Sequence, residues 1–430
     1  MILLLFAIVH GELANGLDYY FWPDHKIPMV EIRFVIEAGS VNDPDSLPGL
    51  ANLTHRLLER GVEGYSYLEL REKIESMGAR LTLEVDREFL LIKGRCLSKH
   101  TGMLLRLISL ILLQPEFSSS ELDKLKDEIA GLIRSRADDP FAVGLDHFYR
   151  LLYPDHPLGH HPFGDLNSIA RIGIEDIRCF YRKHYLPNLS AIIVCGDIDT
   201  GAVRRQIEEW FGDWEAKKVE EITPPEGFDS LRIAVVEKDL SQAYIFYGNL
   251  GIGRSDPDFL AARLGNFILG GSGLTSRLST RIREHAGLAY IAYSFIRSGR
   301  KCHPFIAMVQ TNIDSAPSSL RMLMDEVEKA KSGITPEEMK RSKSFYLGHL
   351  PLSYDTFGER ADLLVAIHRF RLGIDYLDHL PERIEELGKQ EVDGAIKKLL
   401  RKGFTLVVVG PLNKKTIHSW LPERRSLKGG

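Results

Sequence analysis

VEIRFVIEA (residues 30–38) alternates apolar and polar side chains as a strand with one buried face does. Asp43-Pro44-Asp45 then supplies a turn, and a helical pattern runs from about Leu47 to Arg60. The same order recurs roughly 215 residues later, a spacing that marks a duplicated domain and not a solenoid. Residues 243–249 read as the strand, Asp256-Pro257-Asp258 as the turn, and a helix begins near Phe259. The copies stay in step further out. Residues 104–113 and 320–330 are both amphipathic helices. Helix starts follow them at Ser118-Ser119-Ser120-Glu121 and Thr335-Pro336-Glu337-Glu338, where a hydroxyl cap and early carboxylates satisfy free N–H groups. Each copy ends in a β-rich run closed by glycine, at residues 191–196 and 404–410. Strands mixed with long helices, without strict βαβ alternation, predict an α+β fold: two homologous domains, each a mainly antiparallel sheet packed with helices. The charged residues 215–228, with Pro224-Pro225 and no apolar period, read as the joint. They set the domains at 1–214 and 231–430, with 215–230 as linker.

The 430 residues accommodate two or three domains at roughly 150 per domain. Apolar residues at 44% and charged residues at 27% can close a large core and exclude a disordered or disulfide-stapled chain. Lys and Arg number 55 against 59 Asp and Glu, a net charge of -4, so no basic field points to nucleic acid. Cys96, Cys179, Cys195 and Cys302 stand apart with no C-x-x-C pair and read as buried thiols. No apolar run reaches the roughly 18 residues of a membrane span. Residues 1–9 (MILLLFAIV) are apolar but lack the positive flank and cleavage site of a secretory signal. They read as a shortened signal, a mis-set start or a first strand, and the apolar start favours a periplasmic over a cytoplasmic location.

Gly49-Leu-Ala-Asn52-Leu-Thr-His55-Arg56-Leu-Leu-Glu-Arg-Gly61, followed by Tyr65-Ser66 and Glu75-Ser-Met-Gly78, resembles the peptidase M16 family of insulinase, pitrilysin and the mitochondrial processing peptidase. The likeness extends over nearly the whole chain. It runs through Leu13-Ala-Asn15-Gly16-Leu17, Asp155-His-Pro-Leu-Gly159, His184-Tyr185 and Val194-Cys-Gly-Asp197 in the first half. In the second it takes in Leu269-Gly-Gly271, Ser276-Arg-Leu278 and Gly287-Leu-Ala-Tyr290. The resemblance implies the M16 (LuxS-like metallohydrolase) fold, in a chain that forms half of a clamshell around peptide or unfolded polypeptide.

Active members of that family carry H-x-x-E-H on the helix at 49–61. Residues i and i+4 share a helical face and grip Zn²⁺, and the glutamate at i+3 is the general base. The matching positions here are Asn52, His55 and Arg56: an amide, an imidazole where the base belongs, and a permanent cation that repels zinc. The third ligand, a glutamate on a later helix, falls on Leu132, which has no lone pair. Glu128 is nearby but lacks two histidines to complete a site. The substrate-engaging Asn-Ala pair that the family carries after the Gly78 turn is Thr82-Leu83 here. No metal is expected on this chain.

The second half keeps a different pair. Arg283, followed seven residues on by Tyr290, matches an arginine and a tyrosine of the family. Helical character over 276–286, a left-handed stop at Gly287 and a strand over 288–295 let the two converge. A guanidinium and a phenol so placed stabilise negative charge on a peptide carbonyl during hydrolysis. The residue types alone also describe a helix-end cation and a half-buried strand aromatic. The resemblance implies a zinc-free subunit of a two-chain peptidase, with zinc in a separate M16 partner to which this chain lends Arg283 and Tyr290. The alternative is a non-enzymatic scaffold or peptide-binding homodimer, like the core subunits of respiratory complexes; a self-sufficient zinc peptidase is opposed by the missing ligands. His160-His161 reads as part of a Pro/Gly-rich loop, not a metal site. Gly270-Gly271-Ser272-Gly273 lacks a following Lys-Ser/Thr and reads as a tight turn. Lys414-Lys415, Arg424-Arg425 and Lys428 read as a solvated tail.

Overall fold

The structure is a computed structural model that describes residues 8–219, 222–300 and 303–421. Residues 1–7 of the apolar start, Glu220 and Glu221 of the joint, Cys302, and the tail with Arg424, Arg425 and Lys428 lie outside the described residues. Strands β1 (Val9–Glu12), β2 (Asp18–Pro23), β3 (Met29–Ile36), β4 (Arg80–Val85), β5 (Leu90–Leu97) and β6 (Ser190–Gly196) form one sheet, ordered β1-β2-β6-β3-β5-β4. Strands β7 (Arg232–Glu237), β8 (Gln242–Leu250), β9 (Ala289–Ile296), β10 (Pro304–Asn312) and β11 (Phe404–Gly410) form a second large sheet, ordered β9-β10-β8-β11-β7. Pairing is antiparallel except for β2 with β6 and β11 with β7. Traced from its far edge, β7-β11-β8-β10-β9 repeats β2-β6-β3-β5-β4, parallel pair included. The duplication in the sequence is thus a duplication of topology, in the expected α+β class.

The chain divides into two compact units, 1–135 with 160–223 and 347–382, and 136–159 with 224–346 and 383–430. Residues 215–219 and 222–228 carry neither helix nor strand. A cut at 215–230 separates the two sheets, but the helices do not follow it. Each unit takes a segment from the other half of the sequence.

In the first unit, Val30, Ile32, Phe34 and Ile36 of β3 enter a core shared with helices Leu50–Leu57, Thr101–Leu113, Ile174–His184 and Thr200–Phe211. The polar partners in the β3 alternation do not face water. Arg33 is 5% exposed, its Nε donating to Asp362 at 2.7 Å and its Nη1 to Glu31 at 2.7 Å. Asp362 belongs to helix Phe357–Phe370, which covers this second face and is also tied down by Arg360 to Asp24 at 2.8 Å and Arg369 to Glu88 at 3.3 Å. In the second unit the covering helix is Pro140–Leu152, capped by Asp139, whose carboxylate accepts from Phe141 N–H. It packs apolar side chains, Phe141 lying 5.4 Å from Phe246 of β8 ring to ring.

Cys96 and Cys195 are buried, but Cys179 is exposed, against the expectation of buried thiols. It sits on helix Ile174–His184, whose buried stripe is Ile177, Phe180 and His184, leaving Cys179 on the solvent side. Among the described residues no helix is long and apolar enough to cross a membrane.

Candidate functional site

The helix Leu50–Leu57 is held at its start from a distance. Asp43, buried in the preceding turn, accepts from Gly49 N–H at 2.8 Å and Ala51 N–H at 2.6 Å, which satisfies two of the donors that a helix leaves free. His160 Nε2 braces the same carboxylate at 3.0 Å. Its neighbour His161 turns elsewhere, its Nδ1 accepting from Phe163 N–H at 3.1 Å, so the adjacent histidines serve the loop separately.

On this helix His55 is fully buried. Its Nε2–H donates to the Leu91 carbonyl at 3.5 Å; a carbonyl can only accept, so Nδ1 must accept from the Tyr185 hydroxyl at 3.0 Å. Burial, then the nearby Arg56 cation, push the imidazole down to about 3. At neutral pH this is an uncharged core histidine with both ring nitrogens engaged. It has no lone pair for a metal and no access to water as a base. Asn52 is likewise buried, its Oδ1 without a hydrogen-bond partner. Arg56 carries a buried Nε without a partner and places its guanidinium 5.7 Å from the Phe163 ring centroid. Leu132 lies on helix Ser119–Asp138 and is 42% exposed, with no polar atom to bring. The nearby Glu128 is engaged by Arg60 Nη2 at 2.6 Å. An amide, a cation, an apolar side chain and an imidazole with both nitrogens used do not fit Zn²⁺. Among the described residues no cluster of three His, Cys, Asp or Glu is placed to hold a metal. Thr82 is exposed and Leu83 half-buried on β4, the outer strand of its sheet.

The second pair is brought together. Arg283 lies in a π-helical stretch, Ser279–His285. Gly287 follows at φ 63, a left-handed turn that an L side chain resists, and its N–H donates to the Arg283 carbonyl at 3.2 Å. Leu288 N–H returns to the Ile282 carbonyl at 3.0 Å and launches β9 back along the helix. On β9 the register slips: Ala289 pairs with Thr311 and Ile291 with Gln310, so Tyr290 is the extra residue of a β-bulge. Bulges re-aim side chains. Tyr290 is 73% exposed, and the Arg283 guanidinium lies 6.0 Å from its ring centroid. Among the described residues neither forms an ion pair or a hydrogen bond through its side chain.

Residue spacing could suggest that Arg283 and Tyr290 meet; it could not announce the bulge, which leaves no mark in composition. Asp43 was legible as a turn residue and not as the brace of the helix, because its partners are backbone N–H groups. Gly270 lies in the π-helical stretch Phe267–Gly271 and not in a tight turn, but it does allow the expected close backbone approach, since a Cβ there would stand 2.3 Å from Ser294 N.

The family model described as insulinase, peptidase family M16, matches residues 23–164, and that of the peptidase M16 inactive domain matches residues 171–346. An uncharacterized zinc protease, YmxG of Bacillus subtilis, is 23% identical over 92% of this chain and 97% of its own. The non-peptidase homolog YmxG of Helicobacter pylori is 24% identical, covering 91% of each. Among solved structures, a peptidase M16 inactive domain from Pseudomonas fluorescens superimposes with a TM-score of 0.88 at 26% identity, over 95% of this chain and 99% of that one. A protease from Helicobacter pylori shares the fold, with a TM-score of 0.87 at 19% identity over 94% of this chain and 100% of that one. With both halves matched in order, the chain belongs to peptidase family M16.

Proposed function

We propose that this chain is the zinc-free subunit of a two-chain M16 peptidase, lending Arg283 and Tyr290 to peptide hydrolysis at the zinc of a separate M16 subunit. The observation that carries this reading is Tyr290, displayed 73% exposed by a bulge beside an arginine with no ion-pair partner among the described residues. The bulge turns most of the Tyr290 ring to water, where it can meet a ligand. In that role a zinc ion held by the partner would polarise the scissile carbonyl of the peptide, while the Arg283 guanidinium and Tyr290 phenol hold the peptide and oppose charge building on its oxygen. Removing one such donor costs about 2.7–4 kcal/mol of barrier lowering, roughly a hundredfold to a thousandfold in rate.

The test is peptide cleavage by the chain alone, by a zinc-bearing M16 chain alone, and by both together. The expected result is cleavage by the pair, lost to chelation and reduced about a hundredfold or more by Arg283→Ala with Tyr290→Phe. Full activity of the pair with both substitutions, or chelator-sensitive cleavage by this chain alone, overturns the reading.

A further inference from the structure

Tyr290 stands outward because β9 slips by one residue against β10, with Ala289 opposite Thr311 and Ile291 opposite Gln310. Without the slip Tyr290 itself would lie opposite Thr311. That position belongs to the face of β10 that carries Ala307, Val309 and Thr311, all buried, and the ring would be driven into the core. Whether Tyr290 meets a ligand therefore depends on what holds the slip in place.

Thr311 is the polar member of that buried face. It is 1% exposed, and a hydroxyl there costs desolvation unless it is bonded. Its Oγ1–H donates to the Leu288 carbonyl at 2.5 Å, while the Asn312 carbonyl, at 3.4 Å, is the longer alternative. With that proton used, Thr311 Oγ1 accepts from the Ser319 hydroxyl at 3.1 Å. Ser319 is fully buried on helix Ala316–Ala330. A chain of hydroxyls thus runs from this helix through β10 to the residue ahead of the bulged pair. Leu288 is gripped at both backbone groups, since its N–H donates to the Ile282 carbonyl at 3.0 Å. Ile282 adjoins Arg283, and Leu288 lies two residues before Tyr290, so one clamp sets both members of the pair. All of these residues belong to the second unit.

We propose that Thr311 is a positioning residue for Arg283 and Tyr290: its hydroxyl, backed by Ser319, pins the Leu288 carbonyl and with it the slip that turns the Tyr290 ring outward. The structural part stands on one chain; its consequence for cleavage rests on the two-chain reading.

The first measurement is amide hydrogen exchange of the full chain alone, read by mass spectrometry on the parent, Thr311→Val, Thr311→Ser and Ser319→Ala. Thr311→Val keeps the shape and removes the donor, so exchange over residues 287–293 should speed up about fivefold or more while β8 and β11 stay as in the parent. Thr311→Ser, which restores the hydroxyl, should return most of the protection. If Thr311→Val does not fold by circular dichroism, Ser319→Ala carries the same expectation. Unchanged exchange over 287–293, equal effects of Ser and Val at 311, or a speeding spread evenly over the chain overturns the proposal. The second measurement is the two-chain cleavage assay, where Thr311→Val should lower kcat about tenfold or more with KM within about twofold, and Thr311→Ser should recover it. Faster local exchange with kcat unaltered in an active pair also overturns the proposal. A parent pair that cleaves nothing, or that keeps full activity with both Arg283→Ala and Tyr290→Phe, sinks the two-chain reading instead, and the exchange measurement still decides for or against the Thr311 clamp.

Discussion

Acidification should unfold this protein in part through His55, by an amount that its burial sets. The imidazole is fully buried and pushed down to about 3 by burial and then by Arg56, against an ordinary value of 6.5. Between those values the unfolded chain holds a proton that the folded chain refuses, so stability must rise with pH across the window and fall as pH drops below 6.5. Lowering the pH from 7 to 5 moves the unfolded imidazole through most of its titration while the folded one stays neutral. At 1.36 kcal/mol per unit, the loss from His55 is about 2 kcal/mol. His184, buried with a value pushed down to about 4, adds a loss of the same sign. The comparison that isolates His55 is a His55→Gln variant, whose amide can still donate to the Leu91 carbonyl and accept from Tyr185. Urea unfolding at pH 7 and pH 5 should show the parent losing about 2 kcal/mol more than the variant. Equal losses would mean that His55 takes up a proton in the folded chain, and the neutral buried imidazole would be refuted.

Three further outcomes follow from the same geometry. Asp43→Ala leaves the Gly49 and Ala51 N–H groups and His160 without their shared acceptor. It should cost about 2–3 kcal/mol by urea unfolding, and more than Asp43→Asn. Tyr290→Phe touches an exposed position and should change stability by no more than about 0.5 kcal/mol, so any loss of activity in the two-chain assay is not a folding defect. Iodoacetamide should label Cys179 in the folded protein, while Cys96 and Cys195 react only after unfolding, since both are buried and burial raises both thiols, Cys96 to about 11. Equal labelling of the three in the native chain would contradict the packing.

Much of the architecture lay open in the sequence because it is periodic. The strand at 30–38, its turn and its helix repeat in the second half, and the sheets that result share the same order over five strands. The covering helices were hidden for a physical reason. Helices Pro140–Leu152 and Phe357–Phe370 have ordinary amphipathic patterns, and nothing in a pattern says which sheet will receive the apolar face. The same gap hid the burial of Arg33, whose partner Asp362 lies far along the chain. At the site, the loss of zinc ligands was legible because it depends on residue type alone. That His55 is sealed in the core was not, since it depends on Tyr185 and the Leu91 carbonyl, which only the fold brings to it. Tyr290 was placed by spacing, but its exposure comes from a bulge that only the paired strand reveals.

The helix Leu50–Leu57 has no residue set that can hold the zinc of an M16 peptidase. The direct measurement is zinc content of the full chain after equilibration with excess Zn²⁺ and gel filtration, by plasma emission, on the parent and on Asn52→Ala and His55→Ala variants. The parent should carry no stoichiometric zinc, and the variants should not differ from it. A stoichiometric ion on the parent that either substitution removes would contradict it.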